Sequence, residues 1–202
     1  METYHLPHFP PAHNTIHIAS FSSVTNSPQI RRRLITASTL SGPEGDLERA
    51  KVDFGFLEGK LLVSKIHLLT AIQTTLLYSA TSTRTHNLHS EILLYLSPNN
   101  NISDAIRKFG LSDQTTHLVL VKITDREKSV EEVWKEMEAV VEGELESLDV
   151  LDEHEGGRTD WKAVDKLYKL GEMNQLKLGP SDLRQKKRDV VVNTVAIQTV
   201  AS

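Results

Sequence analysis

Residues Leu61 to Leu111 read LLVSKIHLLTAIQTTLLYSATSTRTHNLHSEILLYLSPNNNISDAIRKFGL. Leu62, Ile66, Leu69, Ile72 and Leu76 recur at helical spacing, then Leu88, Ile92, Leu93 and Leu96, then Ile102, Ile106 and Phe109. The stretch therefore predicts two apolar helices joined by a polar Thr/Arg/His connector. A third, short helix follows, capped by Asn101 with Asp104 in the capping-box position and stopped at Gly110. Between the apolar faces lie Arg84, Thr85, His86, His89, Ser90, Glu91 and the run Asn99 to Asn101. What those polar residues are for decides the functional reading.

Strand signals flank this helical block. Val52 to Leu57 (VDFGFL) precedes it, and His117 to Ile123 (HLVLVKI), apolar on both faces, follows as an interior strand. Nearer the N-terminus, Ile16 to Phe21 (IHIASF) is a strand and Thr3 to Leu6 a small edge strand. Ser27 and Pro28 start a helix whose inner face is Ile30, Leu34 and Ala37, with Arg31, Arg32 and Arg33 spread around it. Gly and Pro content makes 41–50 a flexible loop. Ser129 and Glu132 form a capping box for an amphipathic helix running to Leu145, with Trp134 mid-face and in the core. Residues 149–160 are acidic and read as a second flexible loop, after which Asp160 starts a short helix with Trp161, Val164 and Leu167 inward. Val190 to Val200 is β-branched on both faces and reads as a buried last strand. The expected fold is α/β (α+β): a single domain over 1–202, with a mixed, about five-stranded sheet flanked by helices.

Composition narrows the function classes. The 202 residues suffice for a real core, and the chain has no cysteine, hence no disulfide framework or thiolate metal site. The N-terminus lacks the basic and apolar regions of a signal peptide, and no apolar run reaches the roughly 18 residues of a membrane span, so no membrane association is expected. Net charge is −4, against the basic excess usual in a free-standing nucleic-acid binder.

A search for chemistry returns little. His86, His89 and Glu91 make an H-x-x-H-x-E string in which the two histidines share a helix face. Glu91 lies about 200° around the helix from His89, which removes the third ligand; no metal site is expected. No G-x-S-x-G, Walker loop or G-x-G-x-x-G is present, so neither catalytic residues nor a cofactor are assigned. Two basic groups remain, Arg31 to Arg33 and Arg184 with Lys186, Lys187 and Arg188. Each reads either as solvated surface or as a phosphate contact.

Thr83 to Gly110, TRTHNLHSEILLYLSPNNNISDAIRKFG, resembles the signature of the PRPK-binding protein family, the small TPRKB-like subunit of the KEOPS (EKC) complex in its fungal form. Thr85, Leu88, Ser90, Glu91, Ser97, Pro98, Asn99, Ile102 and Gly110 carry the resemblance. Weaker likeness runs from Ile16 to Ala71, through HLVLVKI, and to Val192–Ile197. The resemblance implies a non-catalytic subunit of a complex that installs threonylcarbamoyl on adenosine in tRNAs reading codons that begin with A. Such a subunit docks on an atypical kinase/ATPase (PRPK-like) as an allosteric effector. Archaeal relatives also bind the tRNA 3′ end, and the fungal complex is tied to telomeres and transcription, implying nucleus and cytoplasm as its locations. On this reading Ile106, Phe109 and Ile197 are expected at the kinase interface, with plain core as the alternative. Arg84, Thr85, His89, Asn99, Lys186, Lys187 and Arg188 are expected to meet tRNA. A small enzyme working through His86, His89 and Glu91, or a free-standing RNA-binding module, are the readings from other classes.

Overall fold

The computed structural model describes residues 1–79, 87–99, 101–153 and 157–198. Along the chain run β1 (Glu2–His5), β2 (Thr15–Ser22), α1 (Ser27–Thr39), α2 (Gly42–Lys51), β3 (Gly55–Glu58), α3 (Lys65–Ser79) and α4 (Leu88–Leu96). Then follow α5 (Ile102–Phe109), β4 (Leu118–Thr124), α6 (Val130–Glu138), β5 (Glu144–Glu146), α7 (Trp161–Leu167) and α8 (Pro180–Ile197). The class is α+β, with eight helices and one five-stranded sheet among the described residues. The chain divides into two compact units, 1–58 with 110–147, and 59–109 with the chain from 148 onward.

The first unit is built on β2. Its eight residues are all buried, and it pairs with β4 from Thr15↔Thr124 to Phe21↔Leu118. Its other edge is shared: β1 takes the first half (His5↔Thr15 to Glu2↔Ile18) and β5 the second (Ser22↔Glu144 to Ser20↔Glu146). β3 closes the far side of β4. Every pairing is antiparallel, so the sheet is not mixed. Period-two side chains Ala19 and Phe21, Leu118 and Leu120, with Phe54 and Phe56, meet Ile30 of α1 and Val133 and Met137 of α6 in one core. Trp134 is half-buried rather than core, its ring stacked on Phe21 with centroids 6.1 Å apart.

Three local readings change here. The capping box of Ser129 and Glu132 forms as expected, but α6 stops at Glu138 and Leu145 lies in β5. The chain turns because the buried Asn26 amide donates to Val140 O and accepts from the Glu142 N–H, each at 3.0 Å. A β-carbon on Gly143 would sit 2.9 Å from Ser22 O, so a bare backbone is needed where β5 joins β2. The 41–50 stretch is not a loop but α2. Its Pro43 occupies the first turn, where the missing N–H costs nothing, and Arg49 donates back to Leu40 O and Ala37 O at 2.7 and 3.0 Å. Of the 149–160 stretch, residues 148–151 form a 3-10 turn, and 154–156 lie outside the described residues.

In the second unit α3 packs on α4 and α8, and α4 on α5. Asn101 caps α5 as expected, accepting from the Asp104 N–H at 3.1 Å. Phe109, expected at an exposed helix end, is fully buried, because it shares α5's inner face with Ala105 at i,i+4 spacing. Within the α3 core, His67 accepts from the Val63 N–H at Nδ1 and donates from Nε2 to Tyr168, whose hydroxyl donates to Leu96 O at 2.5 Å. The chain of donors fixes a neutral imidazole, and burial pushes the His67 pKa down to about 3. His17 on β2 is likewise neutral, accepting from Thr3 Oγ1 and donating to Thr124 Oγ1, and burial lowers its pKa too.

Of the expected last strand, residues 190–197 form the end of α8, and 199–200 lie outside the described residues. Gly179 and Pro180 give a helix start, and the inward residues Lys187, Arg188, Val191 and Val195 keep a three-to-four spacing that a strand cannot satisfy. The anchors are charged. Lys187 Nζ donates to Asp165 at 2.6 Å and to Asn174 Oδ1 at 2.8 Å. Arg188 donates to the carbonyls of Asp152 at 2.9 Å and Glu153 at 2.8 Å. Packing and these bonds outweigh the β preference of three consecutive valines, since propensity differences amount to only tenths of a kcal/mol per residue.

Two predictions follow from the buried polar groups. Lys187→Ala strands the Asp165 carboxylate and should lower stability by about 3 kcal/mol in urea unfolding, because a half-removed buried pair leaves an uncompensated charge. A loss below about 1 kcal/mol would show that the pair is solvated. The histidines govern pH. Both have folded pKa values below the unfolded 6.5, so the unfolded chain binds more protons below that pH. Their contribution is complete above pH 6.5 and is lost as pH falls from 6.5 toward the folded value of about 3. The urea midpoint should therefore decline already between pH 6.5 and 5, before the carboxylates titrate; a flat midpoint there would contradict the buried neutral imidazoles.

Candidate partner-binding surface

With Lys187 and Arg188 pinned on one side of α8, the opposite side is exposed. Val190 and Ile197, seven residues apart and so on one stripe, are 39% and 58% exposed, with Asn193 exposed between them. On α3, Ile66 is 62% exposed. It lines a groove of about 620 Å³ together with Ser64, Asp152 and, from α8, Gln185, Arg188, Asp189, Val192 and Asn193, a flank of α8 next to the stripe of Val190 and Ile197. The result is an apolar ridge beside a largely polar groove, with two amides, two carboxylates and the Arg188 guanidinium, on a helix that cannot shift without breaking buried bonds. Its chemistry is that of a docking face, with no nucleophile–base pair in it.

Of the three residues expected at a kinase interface, Ile197 lies on this face. Ile106 is 48% exposed but sits on α5. Phe109 belongs to the core and cannot be a surface contact. Val190 and Ile66 were missed in the sequence because a strand reading of 190–200 hides the i,i+7 relation. Ile66 fell inside a helix assumed apolar on its inner side.

Among the described residues, those expected to meet tRNA do not converge. Arg84 and Thr85, with His86, lie outside the described residues. His89 is buried at the start of α4, where Asn87 Oδ1 accepts its N–H at 2.7 Å. Lys187 and Arg188 are each 5% exposed and hold the fold together, so they are not surface phosphate contacts. Lys186 is exposed on α8. Asn99 is exposed too; it accepts from Ser97 Oγ at 3.1 Å and donates to Asp104 at 2.9 Å. Asp104 also pairs with Lys108 and Arg107, whose bonds hold its pKa well below the usual carboxylate range. Among the described residues no three metal-ligating side chains cluster, and no helix is long and apolar enough to cross a membrane.

Comparison with known proteins gives the surface its context. The profile of the "Kinase binding protein CGI-121" family matches residues 21–199. The EKC/KEOPS complex subunit CGI121 of Cryptococcus neoformans var. neoformans serotype D (strain JEC21) is 50% identical, covering 99% of this chain and 100% of the relative. The subunit of the same name from Gibberella zeae is 30% identical over 99% of both chains, and that of Yarrowia lipolytica 37% over 80% of this chain and 83% of its own. A match over nearly the whole length, across relatives of one kind, means that the chain belongs to the CGI-121 family of kinase binding proteins.

Proposed function

We propose that this chain is the kinase-binding regulatory subunit of a fungal EKC/KEOPS complex and has no chemistry of its own. It docks through the exposed stripe of α8 and the neighbouring Ile66 on the complex's atypical, PRPK-like kinase/ATPase subunit. The complex it serves makes threonylcarbamoyladenosine in tRNAs that read codons beginning with A, and works in the nucleus, telomeric regions included, and in the cytoplasm. The observation that carries the docking site is the rigid presentation of Val190 and Ile197 on a helix anchored from behind. A binding subunit acts on a partner's activity only by contacting one of its states better than another, which favours a stiff face over an adaptable one. Contact with tRNA is part of the same reading, with Lys186 and Asn99 as the exposed members of the expected set among the described residues.

The experiment is co-purification with the kinase subunit. Ile197→Arg and Ile66→Glu place charges on exposed positions, so each should keep the wild-type melting temperature yet weaken kinase capture by about tenfold or more, the equivalent of 1.4 kcal/mol. Phe109→Glu should instead unfold the chain. Wild-type capture by both folded variants would remove α8 from the interface, and loss of capture on Ile106→Glu alone would move it to α5.

A further inference from the structure

The far end of α8 is tied to a different element from its middle. Beyond Val195 the described part of the helix buries no apolar side chain. Ala196 and Ile197 are exposed, and only the amide of the C-cap residue Gln198 is seen to reach inward. Its Nε2 donates to Ser97 O at 3.0 Å and, more weakly, to Leu94 O at 3.4 Å. Both carbonyls belong to the end of α4, where a helix runs short of its own donors. Position 98 is the one whose N–H would extend the α4 ladder to Leu94 O, and it is proline, which has none. The Ser97 N–H bends back to Leu94 O instead, at 3.1 Å, and Ser97 O takes the Gln198 amide. Leu96 O is met in the same way by the Tyr168 hydroxyl. The terminus of α4 is thus capped from outside, by side chains 72 and 101 residues further along the chain. From Ser97 the bonds continue into the turn that leads to α5. Ser97, fully buried, donates from Oγ to Asn99 Oδ1 at 3.1 Å, and the same oxygen accepts the Asn101 N–H at 3.3 Å. Asn101 in turn caps α5. A path of hydrogen bonds within one compact unit therefore runs from the residue after Ile197 to the start of α5.

We propose that Gln198 is a positioning residue that couples the exposed stripe of α8 to the turn between α4 and α5. A partner seated on Ile197 holds the last turn of α8, and with it the Gln198 amide, so the turn from Ser97 to Asn101 is ordered when the stripe is occupied. The inference rests on the docking reading of α8 and adds what docking does inside the chain. The two-state element is the last turn of α8, seated or frayed. Helix ends open at little cost, and no apolar side chain after Val195 opposes that here. When the turn frays, the buried Ser97 O loses its donor. An unpaired buried carbonyl is costly, so opening at one end favours opening at the other. By linkage the effect is reciprocal: what orders the turn strengthens docking, and docking slows the opening of the turn. Lys187 and Arg188 do not carry this effect. They lie more than two helical turns before Ile197, and the bonds that pin them end on residues 152, 153, 165 and 174, none of them in α4.

The test is amide hydrogen exchange on the full isotope-labelled chain, alone and saturated with the purified kinase subunit. The amides read are Ser97 and Asn101, with the core amides of α3 in the same unit as reference, so that stabilisation of the whole fold by binding is divided out. The kinase should slow exchange at Ser97 and Asn101 by about fivefold more than at the reference amides, the lower end of coupling between sites. Gln198→Met keeps the length of the side chain and removes the donor. This variant should still bind the kinase, about fivefold more weakly by the same linkage, and the extra slowing at Ser97 and Asn101 should vanish. A kinase-dependent ratio that keeps its wild-type value in Gln198→Met would overturn the proposal, since the glutamine is then a prop of the fold or the kinase touches the turn itself. Absence of extra slowing in the wild-type chain would overturn it as well. The docking reading fails on a different result. If Ile197→Arg captures the kinase like wild type, α8 is not the interface and the coupling falls with it. If Ile197→Arg loses capture and the wild-type chain shows no extra slowing, the coupling alone is wrong.

Discussion

The Lys187–Asp165 pair, 2.6 Å long and largely shielded from solvent, is the contact on which the placement of α8 depends. A buried ion pair is a poor source of net stability, because desolvation of two charges takes back most of their attraction. What it supplies is register. A helix resting on α3 through Val191 and Val195 alone has only two valine contacts to set how far it slides or turns. One ammonium that must reach Asp165 and Asn174, and one guanidinium that must reach the carbonyls of residues 152 and 153, allow a single position. The stripe of Val190 and Ile197 is therefore oriented from behind by polar bonds, and its outer side is left for contact.

The same anchors explain where sequence reasoning succeeded and where it did not. Elements whose signal is local were legible. β2 and β4 show in their β-rich runs, α5 in its Asn101 cap, and α6 in the Ser129–Glu132 box, because each is decided within a few residues. α8 was not legible. Its β-branched end, DVVVNTVAI, argues for a strand if taken alone, and the period that makes it a helix begins in the charged segment before it, where Lys187 and Arg188 look like surface. Only the partners of those two cations, 13 to 37 residues away in sequence, show them to be interior. β5 failed for a related reason. Glu144 to Glu146 has no strand signal, and it pairs only because the Asn26 clamp and Gly143 bring it to the edge of β2.

Phe109 and Ile106 make the same point at the scale of one turn. Both belong to the apolar set of α5, and three residues separate them, yet one is closed to solvent and the other half open. A short helix has a narrow buried stripe, and Ala105, the least conspicuous apolar residue in the segment, marks its centre. Reading the set by hydrophobicity favours the phenylalanine as an exposed end. Reading it by angle places Phe109 directly above Ala105 and Ile106 off the stripe. On that distinction Phe109 is closed to any partner, while Ile106 stays accessible on α5.

Charge accounting carries the argument one step further. From the sequence, the basic run from Arg184 to Arg188 was the natural place for a phosphate, and the isolated lysines of the DWKAVDKLYKL segment attracted no attention. Folding reverses the two. The run loses Lys187 and Arg188 to internal partners and ends with an exposed Lys186. The segment that begins with α7 sets Lys166 and, just past the helix end, Lys169 beside Lys108 from a helix some sixty residues earlier. A count of basic residues in a window therefore measures cations that can be reached only when none of them has an interior carboxylate or carbonyl to satisfy. The cavity between α5 and α7 is lined by two lysines, Lys166 and Lys169, that have no such partner among the described residues.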